Sequence, residues 1–354
     1  MNTVKSIVHP GNTGTLRSGA ALADAGLIAP RNIAGADRAA GRLPIALTPD
    51  IVALIDPFDA EDPIRRQFVP DARELAVSPE ERADPIGDVA HSPCPGIVHR
   101  YPDRVLLMPL TSCLAYCRFC FRRDAVGTGV LAEDDLAAAL DYIGDHEEIW
   151  EVILSGGDPL ALAPRRLATI IAALDAMPHI ATIRIHSRVP VVAPGRMNEA
   201  LIAALKSETP VYVALHCNHP RELTEAVRAA CRGLADAGIP LLGQTVLLRG
   251  VNDDADTLEN LMRTMVACRI KPYYLHHGDL ARGTAHFHTT IAHGRELMRQ
   301  LRGQLSGLAQ PTYVLDIPGG PGKVPIGPCY LAEAADGLEV EDCEGRKHPY
   351  PPVA

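Results

Sequence analysis

Arg104-Val-Leu-Leu-Met-Pro-Leu110, followed at once by Cys113-Leu-Ala-Tyr-Cys117-Arg-Phe-Cys120, is the stretch whose reading decides the fold. The first run is apolar after its arginine, as a strand buried on both faces of a parallel sheet is. The cysteines stand directly after it at spacing C-x3-C-x2-C, with Phe121-Arg122-Arg123 behind them. They therefore occupy a loop at the carboxyl end of a strand, the face on which α/β folds gather their chemistry.

Outward from that stretch, apolar strand candidates recur at Val105–Leu110, Trp150–Leu154, Ile180–Ile185, Val211–Leu215, Leu241–Leu247, Pro272–Leu275 and Tyr313–Leu315. Between them, residues Glu133–Ile143, Pro164–Ala176, Asn198–Leu205, Arg221–Ala237, Ala255–Cys268 and His293–Leu305 place apolar side chains at three- and four-residue intervals, the period of a helix with one buried face. Strand and helix alternating about six times predict an α/β fold, a parallel sheet closed or half closed into a partial (β/α)6-type barrel. Residues 1–43, rich in Gly, Ala, Asn and Arg, read as a loosely held N-terminal arm with a short helix near Ala20–Ala25. Residues 44–98 are acidic helical pieces broken by Pro57, Pro63, Pro70, Pro79 and Pro85, an N-terminal helical subdomain. The barrel is then expected over 99–310 and a C-terminal segment over 311–354.

The chain has 354 residues, 47% hydrophobic and 22% charged, ordinary for a soluble globular protein with a large core. A net charge of −9 without a basic block argues against nucleic acid as a partner. There is no 18-residue apolar span and no signal-like apolar core, so no membrane partner is expected. The six cysteines outside the motif, Cys94, Cys217, Cys231, Cys268, Cys329 and Cys343, are scattered and suggest no disulfide framework, which predicts a reducing, cytoplasmic setting.

Three thiolates can hold three irons of a [4Fe–4S] cluster, and no fourth cysteine follows closely to cap the last iron. The open position suits a ligand offering an amine and a carboxylate, such as S-adenosylmethionine. A zinc site short of one ligand and three buried free thiols are the alternatives. Leu154-Ser-Gly-Gly-Asp-Pro159 ends the next strand. Its glycines let backbone approach a ligand, although a plain tight turn would look the same. Asp316-Ile-Pro-Gly-Gly-Pro-Gly-Lys323-Val-Pro325 reads as a rigid loop with no regular structure. It presents either a lysine able to condense with pyridoxal phosphate or a solvated surface lysine. His99-Arg100-Tyr101-Pro-Asp-Arg104 offers two arginines and a phenol for a phosphate, or a solvated turn. His216-Cys-Asn-His219 reads as a pocket histidine in preference to a metal site, and His276, His277, His286 and His288 as polar residues of the barrel mouth.

The cysteine motif closely resembles that of the radical S-adenosylmethionine enzymes, and the chain from about Pro44 to Tyr330 resembles the lysine 2,3-aminomutase family within them. The likeness is carried in order by Asp62-Pro-Ile-Arg-Arg-Gln-Phe-Val-Pro70, Pro95-Gly-Ile-Val-His-Arg-Tyr-Pro-Asp-Arg-Val105, the cysteine loop and Leu154–Pro159. It continues through Val246-Leu-Leu-Arg-Gly-Val-Asn-Asp253, Pro272-Tyr-Tyr274, Gly278-Asp-Leu280 and Asp316–Pro325. The resemblance implies a radical S-adenosylmethionine barrel in which Cys113, Cys117 and Cys120 hold the cluster. Ser155, Gly156, Gly157 and Asp158 would meet S-adenosylmethionine, and Lys323 would carry pyridoxal 5′-phosphate, with Arg100, Tyr101, Arg104 and His216 in the cofactor pocket. Arg122 is implied to bind the substrate carboxylate, and Asp279 with Asp316 the distal ammonium of L-lysine. Two carboxylates in one pocket call for a cationic side chain, and a glutamate-specific relative would be expected to lack them.

The implied activity is L-lysine 2,3-aminomutase, an isomerase that interconverts L-lysine and β-lysine. The alternatives are the β-lysine-forming enzyme of the elongation factor P branch, which His186-Ser-Arg-Val-Pro190 and the short C-terminus resemble, or a mutase for another basic amino acid. An electron donor such as flavodoxin or ferredoxin and a homo-oligomer are implied as well. Longer members hold a structural zinc whose first cysteine falls where this chain has Asp254, so zinc is not expected, and Phe119 stands where they carry a histidine.

Overall fold

The computed structural model describes residues 14–127, 129–335 and 337–351. Helices α1 (Gly19–Asp24), α2 (Ile33–Ala40), α3 (Pro49–Val52) and α4 (Pro63–Phe68) come first. Local chemistry sets their starts: Ser18 and Thr48 cap α1 and α3, and Asp62 caps α4 by accepting from the amides of Ile64 and Arg65 at 2.9 and 2.8 Å. Such a cap is worth ~1 kcal/mol, and Pro63 at the first helical position loses no bond.

The expectation of a loose arm over 1–43 fails for its described part, 14–43. Leu16, Leu22, Leu27, Ala39 and Leu43 are buried, and Leu16 exchanges two backbone hydrogen bonds with Leu47. Small residues had hidden a packed surface, because alanine and glycine give little periodic signal. Nor does the helical region have a core of its own, since one apolar cluster runs from Leu16 to Tyr313. Residues 1–13 of the expected arm lie outside the described residues.

The barrel follows in sequence order as β1 (Ile97–Tyr101), β2 (Arg104–Leu110), α5 (Glu133–Gly144), β3 (Glu151–Gly156), α6 (Pro164–Asp175) and β4 (Thr182–Ser187). It continues with α7 (Val189–Val192), α8 (Glu199–Ala203), β5 (Val211–His216), α9 (Glu225–Asp236), β6 (Leu241–Val246), α10 (Ala255–Ala267), β7 (Ile270–His276), α11 (Ile291–Gln304), β8 (Thr312–Ile317) and β9 (Gly322–Pro325). Strands lie side by side in chain order, parallel from β2 to β8, with β1 and β9 antiparallel at the two edges. Six β/α units from β2 to β7 make the expected partial barrel, and β8 adds a seventh parallel strand. The gap between the edges is bridged where the Lys323 amide donates to the Tyr101 hydroxyl at 2.7 Å.

Two corrections concern those edges. His99–Arg104 is a hairpin whose first arm is β1, and the Gly- and Pro-rich stretch around Lys323 is also a hairpin, with Lys323 on β9. Gly319 and Gly320 at φ 87° and 107° make its turn, and Pro325 is tolerated because β9 is an edge strand. A final three-stranded antiparallel meander, β10 (Leu331–Ala334), β11 (Gly337–Glu341) and β12 (Lys347–Tyr350), stands apart from the barrel sheet. Among the described residues no helix is long and apolar enough to cross a membrane.

Candidate active site

A cavity of about 730 Å³ runs through the barrel, lined along the strands from amino ends such as Arg104 and Glu151 to their carboxyl ends, and by the cysteine loop and β9. Its wall holds Cys113, Cys117, Cys120, Arg122, Ser155, Gly156, Gly157, Asp158, His216, Asp279, Asp316 and Lys323, together with Arg100, Tyr101 and Arg104. Every residue singled out in the sequence for the site therefore faces one chamber, although Cys120 and Lys323 are roughly two hundred positions apart.

The cysteine loop is gripped from the N-terminal region. Arg118 and Arg123, both buried, share the buried Glu74 carboxylate at 2.5 and 2.6 Å. Arg118 also donates to the carbonyls of Leu43 and Pro44, both at 3.0 Å, and Arg123 to that of Arg118 at 3.1 Å. Two guanidinium groups taken out of water with one carboxylate are tolerable only because these carbonyls complete their hydrogen bonding.

On the other side Arg188 donates to Cys117 Sγ at 2.8 Å, to Gln67 Oε1 at 2.6 Å and to Glu222 Oε2 at 2.7 Å. The three thiols are not drawn to a single point as ligands of one ion are. Each would instead take a separate iron of a cluster, with Arg188 beside one of the sulfurs. Burial, with smaller contributions from neighbouring negative groups, pushes the Cys113 and Cys120 thiols above their ordinary range.

The glycines at the end of β3 have a further reason besides the ligand approach that the motif suggests. A Cβ on Gly157 would lie 2.2 Å from the Ser112 carbonyl oxygen, and one on Gly156, at φ 96°, 2.6 Å from that of Leu110. Their bareness lets β3 press against the cysteine loop, where the Gly157 and Asp158 amides donate to the Leu110 and Ser112 carbonyls at 2.8 and 3.0 Å. The Asp158 carboxylate lines the cavity but is already engaged. It accepts from Ser187 Oγ at 2.6 Å and from the amides of Leu160, Arg188 and Val189. Its part is to tie the two loops together.

On the same wall, Lys323 Nζ is ion-paired with Asp316 and lies 3.2 Å from His276 Nδ1 and 5.6 Å from the centre of the Tyr274 ring. Burial would raise the Asp316 pKa, but the charge and hydrogen bond of Lys323, with His276 Nδ1 3.7 Å away, outweigh it and hold the carboxyl well below its usual range. Asp279 behaves oppositely. Burial, then the Asp316 charge, push its pKa up to about 7, and Oδ1 is buried without a partner. It is a carboxylate that lacks a cation. Burial and nearby cations keep His186 and His276 neutral near pH 7, and His216 likewise, with Asn218 Oδ1 at 3.2 Å from its Nε2.

Arg122 Nε donates to Asp88 at 2.6 Å and its NH1 to Ser155 Oγ at 3.1 Å, while Arg100 donates to the other Asp88 oxygen at 2.8 Å. Arg104 stacks 3.7 Å over the Tyr101 ring. Asp88 and Arg188 were not picked out from the sequence as site residues, and His276 only as a polar residue of the barrel mouth. For His276 a signal existed, because it stands two residues after Tyr274 on β7 and so shares its face. Its neighbour His277 points away to the Tyr313 hydroxyl at 2.8 Å. Asp254, at the position of the absent zinc cysteine, caps α10 by accepting from the Thr257 amide at 2.8 Å.

Residues 107–263 match the family model for the radical SAM superfamily, and residues 298–351 one described as lysine-2,3-aminomutase. The chain is 43% identical to an L-lysine 2,3-aminomutase of Clostridium subterminale over 306 residues, 86% of this chain and 74% of that one. It is 38% identical to an L-lysine 2,3-aminomutase of Escherichia coli, over 75% of this chain and 78% of that one. A glutamate 2,3-aminomutase of Clostridioides difficile is also 38% identical, over 85% of this chain and 72% of that one.

Proposed function

This chain belongs to the lysine 2,3-aminomutase family of radical S-adenosylmethionine enzymes, and we propose that it works as an L-lysine 2,3-aminomutase, an isomerase that interconverts L-lysine and β-lysine. The observation that carries the reading is the single chamber whose wall holds three cysteine thiols, a lysine amine and two aspartates. The residues fit the groups the family implies. The thiols suit three irons of a [4Fe–4S] cluster with one iron left for S-adenosylmethionine, and Lys323 with Arg100, Tyr101 and Arg104 suits an aldehyde cofactor bearing a phosphate, pyridoxal 5′-phosphate. When bound, the cluster and S-adenosylmethionine supply hydrogen-atom chemistry, and pyridoxal phosphate supplies an aldehyde to hold the migrating amine and a ring to spread radical character.

The chain's own residues bind and orient. Arg122 offers its fork to the substrate carboxylate. Asp279 and Asp316 take the distal ammonium, which supplies the cation that Asp279 lacks. His276, kept neutral by burial and the Lys323 charge, lies with its Nδ1 3.2 Å from Lys323 Nζ, within reach of a proton that this amine sheds. Gripping lysine at both ends fixes which carbon faces the thiol side of the chamber, and the enclosing barrel keeps water from that carbon. An acidic side chain would meet two carboxylates, which disfavours glutamate. A mutase for another basic amino acid is less favoured, because the relatives span lysine enzymes of several organisms. The elongation factor P branch uses free lysine too, so the reaction is common to both readings. A low-potential donor such as flavodoxin or ferredoxin, a homo-oligomeric state and a cytoplasmic setting complete the proposal.

The test is anaerobic reconstitution with iron, sulfide and pyridoxal phosphate, then incubation with reductant, S-adenosylmethionine and a panel of lysine, ornithine, arginine and glutamate. Lysine alone should yield its β-isomer. Conversion of glutamate or arginine with lysine untouched would overturn the reading.

A further inference from the structure

Two arginines that face the chamber are held by a carboxylate standing behind them. Asp88 is not part of the cavity wall, yet its Oδ1 accepts from Arg100 at 2.8 Å and its Oδ2 from Arg122 Nε at 2.6 Å. All three side chains are nearly buried, at 9% exposure for Arg100, 10% for Arg122 and 14% for Asp88. We propose that Asp88 is the positioning residue that aims Arg100 and Arg122 at two separate anions, the cofactor phosphate and the substrate carboxylate. The assignment of those anions rests on the function proposed above.

The geometry leaves the forks free on the sides that matter. Arg122 spends Nε on Asp88 and one NH1 hydrogen on Ser155, which leaves NH2 and a second NH1 hydrogen for an end-on grip of a carboxylate. Arg100 spends NH2, and its Nε is buried without a partner, a donor waiting for an acceptor. One carboxylate between two cations also halves their net charge. The arginines can then lie close together in a poorly solvated site, and each anion is kept to an outer side instead of being pulled into the other's place.

The seat of Asp88 is built. Asp84 accepts from the amides of Asp88 and Val89, both at 2.9 Å, and Ser92 Oγ donates to the Asp88 carbonyl at 2.8 Å. The same turn is pressed onto the Lys323 hairpin. The Gly319 amide donates to the Pro85 carbonyl at 2.9 Å, and a Cβ on Gly87 would come within 2.5 Å of the Gly319 carbonyl oxygen. A turn fixed this way sets both arginines relative to the lysine amine and does not merely neutralise them.

The experiment compares Asp88→Asn and Asp88→Glu with wild type as anaerobically reconstituted full-length holoenzyme. It reads kcat and KM for lysine, the Kd for pyridoxal phosphate by absorbance titration, and the melting temperature. Asparagine keeps a neutral acceptor for one arginine and turns an amide donor on the other, so both lose the negative charge that holds them, and KM and the pyridoxal phosphate Kd should each rise by roughly tenfold. KM should rise more than kcat falls, and Asp88→Glu should recover most of both losses. Unchanged constants would overturn the proposal, as would a shift in only one of them, which would make Asp88 the partner of a single site. It is equally overturned if kcat falls as much as KM rises alongside a lower melting temperature that glutamate does not restore, the mark of packing alone. Should wild type leave lysine unconverted, the reading of function fails by itself, and the pyridoxal phosphate constant alone decides the role of Asp88.

Discussion

Replacing Asp279 by Asn should make the empty protein more stable and nearly abolish its hold on lysine. Burial and the adjacent Asp316 push the Asp279 pKa up from the ordinary 3.8 to about 7, against the pull of Lys323 and Arg122. At pH 8 the folded protein therefore carries an ionised group that the unfolded chain would carry more easily, at a cost on the order of 2–4 kcal/mol. Because the folded pKa lies above the unfolded one, that cost is absent below pH 3.8, grows as pH rises toward about 7 and is constant beyond. Asparagine removes it. The cofactor-free variant should melt a few degrees above wild type at pH 8, with the gap narrowing at pH 5.5. With lysine bound, the same carboxylate becomes half of a buried ion pair whose loss costs ~3–5 kcal/mol, roughly 100-fold or more in KM at pH 8. In wild type, KM for lysine should climb as pH falls below about 7 and Asp279 takes up a proton. Paired thermal melts and steady-state kinetics check both halves. A variant that melts lower at pH 8, or that takes lysine as wild type does, refutes the reasoning.

Three further outcomes are expected. Lys323→Ala should lose both turnover and the visible absorbance of lysine-bound pyridoxal phosphate while retaining its iron, as absorbance and iron analysis of the same sample would report. Glu74→Gln leaves the buried Arg118 and Arg123 without their shared carboxylate and should cost ~3–5 kcal/mol, read as a lower melting temperature together with a lower iron content. Gly157→Ala drives a methyl group into the Ser112 carbonyl, 2.2 Å away, so the cysteine loop must shift at a cost of ~1–3 kcal/mol or more. Iron retention after reconstitution should drop, and a variant that holds iron normally would place that loop elsewhere.

What the sequence made legible follows from periodicity. The buried strands β2 to β8 and the amphipathic helices α5, α6, α9, α10 and α11 carry apolar side chains at the spacing their geometry requires. The edges carried no such signal: β1 ends in His99-Arg100-Tyr101, and β9 holds a glycine, a lysine and a proline in four residues. Arrangement in space was also invisible. Nothing local to Asp88 or Arg188 marks their roles, since each matters through partners more than ten residues away. The Gly156-Gly157 pair was legible as a close approach, but the approaching group is the backbone of Leu110 and Ser112.

The central claim is that thiols and lysine amine serve one chamber with L-lysine between them, and the path of a hydrogen atom tests it most directly. Reconstituted enzyme should be given L-lysine deuterated at C3, and the 5′-deoxyadenosine and β-lysine analysed by mass spectrometry. Deuterium recovered in 5′-deoxyadenosine and at C2 of β-lysine is the predicted result. β-Lysine formed with no deuterium at C2 and none of the label reaching 5′-deoxyadenosine would contradict it, whereas the second C3 deuterium stays on C3 in either case.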